Sequence, residues 1–133
     1  MNKAIVCVDD ENIILDSLGE QIENIFGDEF IYEYAENAED GMDLLEELTE
    51  EGIKVMVIVS DWLMPGKKGD EFLIEVHKKF PSIIKVMLTG QADNKAIENA
   101  RQNAELYAYI TKPWTQEQLE KIIRKGISEI NEI

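Results

Sequence analysis

Short apolar runs recur along the chain at Ala4–Val8, Phe30–Tyr34, Val55–Val59, Ile84–Leu88 and Tyr107–Ile110. Their length and their Val and Ile content predict strands. Between them, apolar residues fall at helical spacing. Leu15, Leu18, Ile22 and Ile25 form one stripe; Met42, Leu45 and Leu48 form the next. Phe72, Leu73, Val76 and Phe80 form a third, which Pro81 ends. A weaker, alanine-rich segment runs from Asp93 to Asn103, and a last stripe carries Leu119, Ile122, Ile123, Ile127 and Ile130.

Regular alternation of strand and helix predicts an α/β fold with a parallel sheet. The runs at Ala4–Val8 and Val55–Val59 are continuously apolar, as expected of central strands covered on both faces. The segments "FIYEYAE" and "LYAYITK" mix in polar residues and read as edge strands. Right-handed crossovers bring all carboxyl ends of such strands to one edge, where open parallel sheets bind ligands. Asp9 and Asp10 follow the first run, Ser60 and Asp61 the third, Thr89 and Gly90 the fourth, and Thr111, Lys112 and Pro113 the fifth.

Composition narrows the partners. The length of 133 residues suits one domain. With 13 basic and 28 acidic residues the net charge is -15, which argues against nucleic acid bound by this domain. The acids are interleaved with core positions and read as a solvated surface. Cys7 is the single cysteine, so no internal disulfide forms, which suits a reducing compartment. No segment approaches the ~20 apolar residues of a membrane span. Strand-like sequence begins at Ala4, so no signal peptide is expected, and the expected location is cytoplasmic.

Three carboxylates, a hydroxyl and an ammonium therefore share one sheet edge. Crowded carboxylates repel, and a hard divalent cation relieves that repulsion. Mg²⁺ takes oxygen ligands and suits such a cluster. Lys112 and Thr89 are donors that a metal alone does not need; beside Mg²⁺ they suit a phosphoryl group, with Asp61 as nucleophile. Gly66 and Gly69 are expected to shape the loop after Asp61, and Gly90 to leave room beside Thr89. Taken singly, Asp10 reads as a helix cap, Asp61 as a turn residue and Lys112 as a solvated strand end. Those separate readings leave the conjunction on one edge unexplained.

The motifs "VDDE", "SDWLMPGKKG", "LTG" and "YITKP" occur in an order and spacing that resemble the receiver domain of two-component response regulators. The resemblance covers Lys3 to Ile130 and implies one receiver domain over residues 1–133. It implies a flavodoxin-like (βα)5 doubly wound sandwich with a five-stranded parallel sheet in the order 2-1-3-4-5. It further implies Asp61 as phosphoacceptor, and Asp9, Asp10, Asp61 and the Leu63 backbone carbonyl as Mg²⁺ ligands. Thr89 becomes the switch hydroxyl, Lys112 the phosphate-contacting lysine, and Tyr109 the aromatic that changes rotamer with Thr89. The Lys112–Pro113 bond is expected cis. The implied donor is a sensor histidine kinase or phosphotransfer protein. An output domain beyond the chain and a phosphorylation-dependent dimer are further implied partners. Such a domain catalyses only its own phosphorylation and dephosphorylation. Leu63 and Gln91 occupy positions that tune phosphoryl lifetime, and the Leu63 side chain, unable to orient water, implies a long one.

Competing readings are weaker. An aspartate-nucleophile phosphatase usually has a second acid where this chain has Leu63, and a cap domain. A flavin module needs a phosphate-cradling loop after the first strand, where Asp9, Asp10 and Glu11 stand. A degenerate receiver would lack part of the acid–Thr–Lys set. His77 is read as a surface residue, Trp62 as bordering the site, and the methionines as core filler.

Overall fold

A computed structural model describes residues 2–90 and 94–131, without the side chains of residues 130 and 131. The elements follow the expected alternation: β1 (Lys3–Val8), α1 (Asn12–Phe26), β2 (Ile31–Ala35), α2 (Ala38–Glu50), β3 (Lys54–Asp61), α3 (Gly69–Lys79), β4 (Ile84–Thr89), α4 (Asn94–Asn103), β5 (Ala108–Thr111) and α5 (Gln116–Asn131). The strands form one five-stranded parallel sheet in the order β2-β1-β3-β4-β5. The flavodoxin-like expectation holds, and β2 and β5 are the edges.

Alternate side chains of the central strands feed two apolar layers. On one face Ile5, Cys7, Val57 and Val59 pack with Leu18 and Ile22 of α1 and Leu119 and Ile123 of α5. On the other, Val6, Val8, Ile58 and Met87 meet Leu45 of α2, Phe72 and Val76 of α3, and Ile97 of α4. Met56, Met64 and Met87 are buried, as core filler should be. Burial pushes the Cys7 thiol far above its ordinary range, so it is an inert apolar residue.

Local chemistry fixes the helix starts. Asn37 caps α2, its Oδ1 accepting from the Asp40 N–H at 2.7 Å while Asp40 Oδ2 accepts from Asn37 Nδ2. Thr115 and Gln118 form a reciprocal capping box at α5, at 3.0 and 3.1 Å. The N-cap position of α1 is Glu11 and no side chain caps it, so the reading of Asp10 as a mere helix cap does not apply.

Three expectations need correction or limits. His77 is half-buried rather than on the open surface, with its Nε2 4.0 Å from Glu105 and its Nδ1 enclosed. The cause is the packing of α3 against α4, which brings the following turn over it. Lys85 interrupts the apolar run of β4, and its Nζ donates to the Ile83 and Pro81 carbonyls at 2.8 and 3.4 Å. Burial lowers its pKa to about 8. Asp93, Gln91 and the Ile130 side chain lie outside the described residues.

Candidate functional site

Parallel pairing sets the level at which each strand delivers its last residue. Val8 pairs with Ser60, Asp61 with Leu88, and Thr89 with Thr111. The residues at and just beyond these levels therefore converge. One carboxylate oxygen each from Asp9, Asp10 and Asp61 lies within 4.8 Å of the others. Asp9 and Asp61 are buried and Asp10 is exposed. Lys112 reaches in from the end of β5, its Nζ 2.9 Å from Asp61 Oδ1 and 3.4 Å from Asp9 Oδ2.

The charges are not balanced. Burial pushes the Asp61 carboxyl up to about 6; Asp9 and Asp10 add to this, while the Lys112 hydrogen bond and charge oppose it. Asp9 is raised too, chiefly by burial, against the Glu11 N–H that donates to its Oδ1 at 2.9 Å and against Lys112. Burial alone would lower the Lys112 pKa, but the bond and charge of Asp61, with Asp9, raise it. One ammonium thus faces three carboxylates, and a further cation fits the remainder.

Thr89 is fully buried, and its Oγ1 has no hydrogen-bond partner among the described residues. A buried hydroxyl left unpaired costs about 1–3 kcal/mol, so its place at this edge fits an absent acceptor. Its backbone carbonyl accepts from the Lys112 N–H at 2.7 Å, which holds the ends of β4 and β5 together. Tyr109 is 40% exposed and turned outward. The Lys112–Pro113 peptide is cis, as expected. Trp114 then donates from Nε1 to Gln21 Oε1 at 2.5 Å and pins this loop to α1.

A cleft of about 650 Å³ opens over the cluster, lined by Asp10, Asp61, Trp62, Leu63, Pro65 and Lys112 among others. Trp62 borders it as expected, and the Leu63 side chain is largely exposed on its rim. A larger cleft of about 810 Å³ between α2 and α3 shares Asp10 but not Asp61.

The loop after β3 depends on two glycines. Gly66 has φ +86°, a left-handed conformation that favours glycine. Gly69 is a matter of space: a Cβ there would lie 2.2 Å from the Asp61 carbonyl oxygen and 2.6 Å from Trp62 Cα. Its N–H donates to the Trp62 carbonyl at 2.7 Å. The start of α3 is therefore pressed directly onto the backbone that carries Asp61. Gly69→Ala is expected to cost about 3 kcal/mol through overpacking against rigid backbone, read as a lower urea midpoint. A variant as stable as the parent would mean that the loop yields freely. Gly90 behaves differently: a Cβ there would meet nothing within 4 Å among the described residues, so the space beside Thr89 is open.

The side chains that the sequence placed at this edge do converge there, and Gly69, expected to shape the loop, is the point where α3 meets the Asp61 backbone. Sequence reasoning missed two supports, the Glu11 N–H on Asp9 and the Ser60 hydroxyl donating to the Asp61 carbonyl at 3.0 Å, and neither left a readable signal.

The family described as response regulator receiver domain matches residues 5–124. A 73-residue stretch, 55% of the chain, is 37% identical to the hydrogenase transcriptional regulatory protein HoxA of Cupriavidus necator. A 92-residue stretch, 69% of the chain, is 30% identical to the sensor kinase CckA of Brucella abortus. These matches span 15% and 10% of the two relatives. The signal receiver domain of an HD domain-containing protein from Pseudomonas fluorescens Pf-5 superposes with a TM-score of 0.87 and 25% identity, covering 100% of both chains.

Proposed function

The chain belongs to the response regulator receiver family, and from that premise we propose that Asp61 is its phosphoacceptor and that residues 1–133 form one receiver domain. The observation that carries the assignment is the cluster in which Lys112 bonds the buried Asp61 while Asp9, buried, and Asp10, exposed, stand beside it.

Asp9, Asp10, Asp61 and the Leu63 backbone carbonyl are the proposed ligands of Mg²⁺. When bound, that ion neutralises the crowded carboxylates and phosphoryl oxygens. The remaining work falls to the chain. Asp61 presents a carboxylate oxygen to the phosphorus of a phosphohistidine on a sensor kinase or phosphotransfer protein. The P–N bond breaks, and the imidazole nitrogen keeps the electron pair. Lys112 holds Asp61 in place and then offers its ammonium to a phosphoryl oxygen. Thr89 supplies a hydrogen bond from its hydroxyl, which has no partner among the described residues. Movement of Thr89 leaves space into which Tyr109 turns, and the face of α4, β5 and α5 changes. Dephosphorylation would be the domain's own slow reaction, prolonged by the apolar Leu63 rim.

The curated relatives are a transcriptional regulator and a sensor kinase, each much longer than this chain. They support a kinase donor, and an output domain elsewhere in the protein or in a partner; a phosphorylation-dependent dimer is a further proposal. Among the described residues no helix is long and apolar enough to cross a membrane. A cytoplasmic location is proposed on the lone buried Cys7 and the high acidic charge.

Incubation with phosphoramidate tests the reading. Intact-mass measurement should show uptake of a single phosphoryl group only with Mg²⁺ present, and hydroxylamine should release it as an acyl phosphate does. Uptake without metal, or an adduct resistant to hydroxylamine, would overturn the assignment.

A further inference from the structure

The helix pair α3 and α4 holds a polar feature that the phosphoacceptor chemistry does not use. Asp70, the second residue of α3, is 8% exposed in an otherwise apolar layer. Its Oδ2 accepts from Asn99 Nδ2 of α4 at 2.8 Å, and its Oδ1 is buried with no partner among the described residues. The Asn99 amide is oriented in turn by Asn103, whose Nδ2 donates to Asn99 Oδ1 at 2.8 Å. A leucine at position 70 would bury apolar surface there without an orphaned oxygen. The carboxylate thus gives up packing for a directional bond. Its position makes that bond consequential: Gly69, the preceding residue, lies against the Asp61 carbonyl. Backbone contact therefore joins Asp61 to Gly69, and the Asp70–Asn99 bond joins that turn to α4.

We propose that Asp70 and Asn99 form a latch that holds α4 in the resting arrangement and ties its position to the occupancy of Asp61. The route is separate from Thr89 and Tyr109, because it runs through α3 rather than β4 and β5. It rests on the phosphoacceptor reading of Asp61. A half-satisfied carboxylate suits this role. One hydrogen bond fixes the resting geometry, while the free Oδ1 leaves that geometry less stable than a fully paired one, so α4 can leave it at modest cost. Asp70 and Asn99 are positioning residues; neither touches the cluster.

The test uses the full chain with Mg²⁺ and beryllium fluoride, a phosphoryl analogue, followed by the fluorescence of Trp62 and Trp114. Cutting the latch frees the switched arrangement, so Asp70→Ala and Asn99→Ala should bind beryllium fluoride roughly tenfold more tightly. Mg²⁺ affinity alone should be unchanged. The double variant should gain no more than either single one, because both remove the same bond. Asp70→Asn keeps an acceptor for Asn99 and should behave as the parent. Where Asp70→Ala fails to fold, Asn103→Ala loosens the same chain from its exposed end and should tighten binding roughly threefold. Unchanged or weaker binding, additive effects, or failure of Asp70→Asn to match the parent would overturn the latch. A parent chain that binds neither Mg²⁺ nor beryllium fluoride would instead overturn the phosphoacceptor reading beneath it.

Discussion

Asp61→Asn is expected to take up no phosphoryl group from phosphoramidate and, without metal at pH 7, to be more stable than the parent. The first effect follows from removing the nucleophilic oxygen. The second follows from burial, which pushes the carboxyl from its ordinary 3.8 up to about 6. Between those pH values the folded chain holds a proton that the unfolded chain has released. Stability therefore falls as the pH rises through that window, and at pH 7 the ionised group costs the apo fold on the order of 2 kcal/mol. Asparagine removes that cost. Intact mass reads the first effect and urea unfolding from pH 4 to 8 the second: the parent should lose stability across the window more steeply than the variant. Equal slopes would mean that Asp61 is solvated rather than buried beside Asp9. Mg²⁺ should stabilise the parent more than the variant, since only the parent keeps all three carboxylates.

Lys112→Ala should produce the opposite pattern. The ammonium is the only cation bonded to Asp9 and Asp61 among the described residues. Without it two buried carboxylates stand together uncompensated, and removing one partner of a buried pair leaves the other's desolvation unpaid. An apo destabilisation of about 3 kcal/mol at pH 7 is expected, and Asp61 should titrate still higher. Mg²⁺ should restore most of that loss, because it replaces the missing charge. The variant should thus bind Mg²⁺ at least as tightly as the parent while responding poorly to phosphoramidate. Lost Mg²⁺ affinity would place Lys112 among the groups that organise the metal site, against the role proposed for it.

These two variants separate the contributions that the site combines. Asp9 and Asp61 are buried at strand ends and Lys112 is partly buried beside them, so each charge is felt strongly by the others. Asp10, exposed at the mouth, adds its charge at less desolvation cost. The result is an apo site poised to accept a cation.

The amino-acid order by itself determined the fold class. Continuous Val and Ile runs in β1 and β3, polar interruptions in β2 and β5, and helical stripes between them leave few topologies for a chain obeying right-handed crossovers. It also placed Asp9, Asp10, Asp61, Thr89 and Lys112 at one edge, because period and direction are local properties of strands. Burial was decided only by tertiary packing. No pattern along the chain separates Asp9, enclosed, from Asp10, exposed; the layers around β1 do. Nor does it announce that Lys85 is swallowed by the sheet, that His77 is half-covered by the turn after α4, or that Asp70 meets Asn99. Those contacts join residues distant in sequence. Their energies depend on which groups water can still reach, and that is settled when the layers close.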